Sequence, residues 1–172
     1  IDVEGVSGTS AGSMNAVVLA YGLIDGKDAA RQALHDFWKA TSDAGERYSP
    51  LKLFPWEKFL YGHNIEHSIA NHFFKAITHN FSPYQLNPSN FNPLCEVFGQ
   101  DELISSDMVL ASACLPYLFQ AVEVAGEHYW DGGWMGNPVL YPLFYHTKTR
   151  DVVIVHINPI ERPGPPTSSE DI

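Results

Sequence analysis

Positive charge is scarce in this chain. Ten Lys and Arg face twenty Asp and Glu over 172 residues, leaving a formal charge of −10 at pH 7. No basic stripe is present to replace counterions along phosphates, which excludes nucleic acid as a partner class. The same balance disfavours electrostatic docking on anionic bilayers. Cysteine is nearly lacking: Cys95 and Cys114 are the only two. They are too few for a disulfide framework and are not spaced as a metal pair, which suits a reducing or thiol-indifferent compartment. A membrane-length apolar run is missing too. The longest candidate, residues 16–24, is broken by Tyr21 and Gly22, well short of the roughly 18 residues a span needs. Charged residues are only 17% of the chain against 45% hydrophobic, too apolar for disorder and consistent with surface that faces protein or lipid. The chain opens on Ile1 rather than Met, so a trimmed or processed protein is expected, with any targeting segment upstream.

What is there amounts to a single domain over residues 1–172. Ile1, Val3 and Val6 alternate with polar or small residues and run into Gly8-Thr9-Ser10-Ala11-Gly12, which reads as a strand ending in a sharp turn. A helix follows, with Met14, Val17, Val18 and Tyr21 on one face and Gly22 as its stop. A second is expected over residues 28–41. The stretch 48–61 is aromatic and proline-broken and reads as short helical turns packed as core between its neighbours, a lipid-facing lid being the alternative. Asn64 is expected to cap a helix through Asn80 with Ile65, Ile69, Phe73 and Ile77 on its inner side. An Asn- and Pro-rich loop comes next. Ser106 or Asp107 then starts a short helix that Pro116 ends. Val122 and Val124 turn at Gly126-Glu127 into His128–Trp130 as a hairpin. Residues 140–145 read as a short helix. Val152–Ile157, apolar on both faces, reads as a buried parallel strand. Strand, tight turn, helix and late apolar strand together make an α/β domain.

Gly8-Thr9-Ser10-Ala11-Gly12 fits G-x-S-x-G, in which the serine sits in a strained turn and the residues two before and two after must be small. Composition alone would produce roughly 0.07 such matches. The strand before and helix after expose the Ser10 hydroxyl at a helix N-terminus, where unpaired N–H groups, Ala11's among them, favour an oxyanion. A serine needs a base, and Asp131-Gly132-Gly133 offers a carboxylate on a loop that two glycines let bend close to another. In a dry site walled by Tyr129, Trp130 and Trp134, a carboxylate's proton affinity rises enough to serve. His63, His67, His72 and His79 form no metal motif and read as surface histidines. His146 reads as a helix-end residue and His156 as a hydrogen-bonded structural histidine. Cys114 reads as a small buried hydrophobe.

These motifs, with Ala111-Ser112-Ala113-Cys114-Leu115-Pro116 between them, resemble the patatin-like phospholipase family. Asp131 to Pro138 and Val152 to Pro159 with the Glu161-Arg162-Pro163-Gly164 that follows are similar to its bacterial branch in particular. The resemblance implies a modified α/β-hydrolase three-layer fold with a mostly parallel central sheet. It implies lipid acyl hydrolysis by a Ser-Asp dyad, with Ser10 the nucleophile and Asp131 the general base. Gly8, Ala11, Gly12, Gly132 and Gly133 become backbone and oxyanion support. The expected substrate is a phospholipid or other acyl lipid, with peripheral membrane contact and without metal or cofactor. The family builds its oxyanion hole with a Gly-rich loop upstream of the serine strand, and carries a helix and strand where this chain steps from Leu94 to Cys95. An incomplete domain, missing N-terminal and internal elements, is therefore expected. The bacterial cytoplasm or membrane periphery is the expected compartment. Two rivals stand beside this reading: a Ser-Asp-His esterase using His146 or His156, and an inactive lipid-binding or regulatory module.

Overall fold

The structure is a computed structural model that describes residues 2–49, 53–61, 68–89, 104–116, 118–157, 161 and 164. The Asn64 cap, the step from Leu94 to Cys95, His63 and His67 lie outside these residues.

The chain enters its first helix, α1 (Ala11–Leu23), directly from the glycine turn, and α2 (Lys27–Tyr48) folds back along it. Gly22 does not stop α1 as expected. It lies inside the helix, where a Cβ would come within 2.4 Å of the Ala30 Cα. The two helices cross backbone to backbone at that point, and Ala30 is only 2% exposed. The connection is made by Gly26 at φ 107°, a left-handed conformation that a side chain would disfavour. A second tie joins the pair where Trp38 Nε1 donates to Asn15 Oδ1 at 2.7 Å. α2 continues past Thr41, its expected end, to Tyr48, helped on its exposed face by the i,i+4 pair of Lys39 and Asp43 at 2.7 Å.

The aromatic stretch is turned inside out relative to expectation. In α3 (Pro55–Tyr61) and the residues leading into it, Phe54, Trp56, Phe59 and Leu60 are exposed, Phe59 at 90%, while Glu57 is fully buried. The reason lies in the hydrogen bonds. Glu57 Oε2 accepts from the Phe54 N–H at 2.7 Å, and Oε1 accepts from the Ile69 N–H at 2.8 Å. One carboxylate thus caps the first turns of both α3 and α4 (Ile69–Asn80), where unpaired N–H groups and the helix dipole favour an anion. Ser68 is the N-cap of α4, its hydroxyl accepting from the Asn71 N–H. Ser68 and Asn71 are buried there while Ile69 and Phe73 are exposed, the reverse of the expected apolar face. The loop after α4 contains a further short helix, α5 (Pro83–Leu86), opened by a capping box in which Gln85 Oε1 accepts from the Ser82 N–H at 3.0 Å.

α6 (Ser106–Ser112) is capped by Ser105, whose hydroxyl accepts from the Met108 N–H. Its inner face buries Val109, Leu110 and Ala111, which with Met14, Ala30 and Cys114 form the buried hydrophobic core among the described residues. α6 packs against α1 and against a hairpin of β1 (Val122–Val124) and β2 (Glu127–Tyr129). The strands are antiparallel, with Val122 opposite Tyr129 and Val124 opposite Glu127. The turn falls at Ala125 and Gly126, one residue earlier than expected. Both have positive φ, 53° and 86°, the two-residue geometry that matches strand twist. α7 (Tyr141–His146) is the last helix among the described residues.

Among the described residues β1 and β2 are the only paired strands, so the expected parallel sheet is not found in them. Val3 and Val6 belong to no ladder. Residues 152–157 are neither paired nor buried; Val153, Val155 and Ile157 are 82–90% exposed. A strand is buried only when neighbouring strands take its N–H and C=O groups, and no described segment does so here.

Glu57→Gln keeps the side-chain shape but replaces one acceptor oxygen with a donor that faces a helix N–H. The expected loss is about 1–3 kcal/mol of stability, read as a lowered urea midpoint; an unchanged midpoint would show that the two caps are not made.

Candidate active site

The site is assembled where three chain turns meet: the loop entering α1, the end of α6, and the segment after β2. Ser10 is the N-cap of α1 at φ 57°, ψ −128°. A non-glycine residue there is strained and must be held by its surroundings. Gly8 makes the turn possible, because a Cβ on it would stand 2.1 Å from the Gly12 carbonyl oxygen. Gly12 itself has open space where a Cβ would go. Only the first glycine of the motif is therefore sterically required, a correction to the expectation that both must be small. The turn is closed by Gly12 N–H donating to the Thr9 carbonyl at 2.9 Å and by the Ser13 hydroxyl donating to the Ser10 carbonyl at 2.6 Å.

Ser112, at the last position of α6, holds this turn from outside. Its hydroxyl oxygen accepts from the Ser10 N–H at 3.1 Å across 102 residues of sequence. Ser112 lay inside a recognised segment, but nothing local in the sequence assigned it this contact. Two polar atoms are left over at the turn. Neither the Ser10 hydroxyl nor the Ala11 N–H has a hydrogen-bond partner among the described residues. The Ala11 N–H is the first of α1, on the positive end of the helix dipole.

Asp131 is 7% exposed and lies two residues past the end of β2. Its N–H donates to the Cys114 carbonyl at 2.9 Å, anchoring it beneath α6. One carboxylate oxygen, Oδ1, accepts from the Gly133 N–H at 2.8 Å; Oδ2 has no partner among the described residues. The glycines that follow pack closely here. A Cβ on Gly133 would stand 3.0 Å from Asp131 Oδ1, and one on Gly132 would stand 3.2 Å from the Thr9 methyl. The Asp131 loop thus abuts the residue before Ser10, and Thr9, 8% exposed, donates from Oγ1 to the Gly136 carbonyl at 3.3 Å. Ser7 adds a bond from its hydroxyl to the Val139 carbonyl at 2.6 Å. Ser10 Oγ and the Asp131 carboxylate are not hydrogen-bonded to each other; the serine hydroxyl and Asp131 Oδ2 stand unpaired among the described residues, on loops that touch.

The expected aromatic wall is open. Trp134 is 62% exposed, and Tyr129 and Trp130 are also exposed. Asp131 is buried by close backbone packing and by Cys114 instead. Cys114 is buried as expected, with its thiol donating to the Gln120 carbonyl at 3.0 Å. Burial, and secondarily the negative charge of Asp131, push that thiol up to about 11. Of the histidines, His72, His79 and His146 are exposed. His156 is also exposed and makes no hydrogen bond among the described residues, contrary to its expected structural role. Neither His146 nor His156 bonds to Ser10 or Asp131.

A serine with an unpaired hydroxyl thus stands at a helix N-terminus, on a loop packed against that of a buried, half-satisfied carboxylate. The family model of patatin-like phospholipases matches residues 1–144, and the chain belongs to that family. Membership supplies the coarse function, a hydrolase acting on acyl lipids, and with it the α/β fold class. No curated protein and no solved structure gives a match.

The two glycines of the turn should respond in opposite ways. Gly8→Ala is expected to cost at least about 2 kcal/mol through overpacking against backbone, whereas Gly12→Ala, within the first turn of α1, should be neutral or stabilising by up to about 1 kcal/mol. Urea midpoints of the two variants decide the matter, and equal losses would contradict the geometry. The Cys114 thiol supplies a pH test. Its pKa is raised above the ordinary 9.0, so the stability it contributes is fully present below pH 9 and is lost as pH rises toward 11. In the folded protein Cys114 should resist iodoacetamide at pH 9, because only the thiolate reacts. Asp131→Asn should speed its alkylation severalfold by removing the neighbouring charge, as followed by peptide mass spectrometry.

Proposed function

We propose that this protein is a serine acyl hydrolase that cleaves ester bonds of phospholipids or other acyl lipids, with residues 1–172 contributing one catalytic domain. The observation that carries the reading is the turn at Ser10: a strained serine with an unpaired hydroxyl, next to an unpaired Ala11 N–H, on a loop packed against that of Asp131. Ser10 Oγ attacks the ester carbonyl carbon while its proton passes to the free oxygen of Asp131. The carbonyl oxygen becomes an oxyanion held by the Ala11 N–H and the start of α1. Collapse breaks the ester C–O bond, and the proton returns from Asp131 to the departing alcohol. Water then attacks the acyl-enzyme, giving its proton to Asp131, and the carboxylic acid leaves as Ser10 is reprotonated. These steps require no metal or organic cofactor.

Burial of Asp131 supports its part. A carboxylate with one oxygen bonded to the Gly133 N–H and the other free is oriented and still able to accept a proton. Membrane contact belongs to the same reading. Phe54, Trp56, Phe59 and Leu60 are exposed beside one another in sequence, and such side chains seat at the headgroup level of a lipid surface. With a formal charge of −10, docking would be apolar rather than electrostatic.

The test is labelling of the folded protein with a fluorophosphonate probe. Labelling should occur on Ser10 and vanish in Ser10→Ala, and Asp131→Asn should lower ester turnover at least about a thousandfold, within the range of losing an acid-base group. Absence of Ser10-dependent labelling would favour a non-catalytic lipid-binding role. Turnover retained in Asp131→Asn would point to a histidine base.

A further inference from the structure

Ser10 and Asp131 are not bonded to each other, yet both are bonded to the same short piece of chain. The Ser10 N–H donates to Ser112 Oγ at 3.1 Å, and the Asp131 N–H donates to the Cys114 carbonyl at 2.9 Å. The turn that ends α6, residues 112–114, thus grips the backbone of one residue from each of two loops far apart in sequence. That turn is itself closed. The Ala113 N–H donates to the Leu110 carbonyl at 3.1 Å, and the Cys114 N–H to the Ala111 carbonyl at 3.3 Å, bonds of the short-span type that tighten a last helical turn. Leu110, Ala111 and Cys114 are buried, which seats it in the core.

The two anchors differ in kind. The Cys114 carbonyl is main chain, which any residue type supplies. The Ser112 hydroxyl is a side chain, and among the described residues its bond is the only hydrogen bond from α6 to the Ser10 turn. α6 is packed on α1 and on the hairpin through buried apolar residues, so the fold does not hang on this bond. Its effect falls on Ser10, whose φ of 57° lies where few residues other than glycine rest. Relaxing that angle toward negative φ turns the Ser10 backbone relative to α1 and takes its N–H away from Ser112. Oγ, carried on the same Cα, moves with it.

We propose that the turn ending α6 sets the nucleophile against the base, and that Ser112 is a positioning residue whose hydroxyl oxygen keeps Ser10 in its reactive conformation; this rests on Ser10 being the nucleophile and Asp131 the base. A misplacement of about 1 Å at reacting atoms costs about a hundredfold in rate. The Ser10 N–H is occupied by Ser112 and takes no part in holding substrate, so the loss falls on kcat and leaves KM in place.

The experiment compares wild type with Ser112→Ala, Ser112→Thr and Ser112→Val, in hydrolysis of p-nitrophenyl butyrate and in the rate of fluorophosphonate labelling of Ser10. Thr keeps the acceptor oxygen, and Val has the shape of Thr without it. Ala and Val should lower kcat and the labelling rate at least about tenfold with KM changed less than about twofold, and Thr should stay within about threefold of wild type. Hydrogen exchange followed by NMR gives a readout apart from activity: the Ser10 amide should exchange at least about tenfold faster in the Ala and Val variants than in wild type and Thr. Circular dichroism checks each fold, and one folded variant lacking the oxygen suffices. If wild type labels on Ser10 and hydrolyses the ester, three results overturn the positioning role and leave the hydrolase reading standing: equal losses in Thr and Val, a change confined to KM, or unaltered kcat and amide exchange in a folded Ala or Val variant. If wild type neither labels nor hydrolyses, both fall.

Discussion

The close approach of Gly8 to the Gly12 carbonyl is the constraint on which the site depends. A Cβ at position 8 would stand 2.1 Å from that oxygen, so the chain can reverse there only with glycine. The reversal puts Ser10 at φ 57° and starts α1 on the next residue. Strain of this kind persists only when surroundings over-determine it. Here they do so through the Ser112 hydroxyl on the Ser10 N–H and through Thr9, wedged against Gly132 and bonded to Gly136. The same contacts that hold the strained turn also bring the Asp131 loop to it, so backbone geometry and site assembly are one feature.

A second theme is that polarity and burial are reversed around α3 and α4. Hydropathy would bury Phe59, Ile69 and Phe73 and expose Glu57, Ser68 and Asn71, and the structure does the opposite. Two helix N-termini that face one another present unpaired N–H groups, and a single carboxylate answers both. Once Glu57 occupies that position, neighbouring helical positions on α3 point outward. The aromatic residues displaced to the surface are those that the membrane reading draws on, so burial of one anion and exposure of an apolar face have a common cause.

Much of the local structure was legible. The start of α1, the hairpin at residues 122–129, α6 and α7 follow from turn residues, caps and short-range periodicity, interactions that close within a few residues. The glycine spacing around Ser10 and the Asp131-Gly132-Gly133 turn were legible for the same reason. Gly22 was misread as a helix stop because the partner that requires it, Ala30, lies on another helix. Residues 152–157 read as buried because periodicity reports apolarity, whereas burial requires neighbours.

The sequence by itself determined the family, the chemical identities of Ser10 and Asp131, and the strained turn, because these rest on covalent geometry and on residue types at fixed short spacing. Only the tertiary structure decided that Ser112 grips the Ser10 backbone, that Gly8 and not Gly12 is sterically required, and that Glu57 lies inside. Each of these depends on groups far apart in the chain meeting within a few ångströms, which no local pattern encodes.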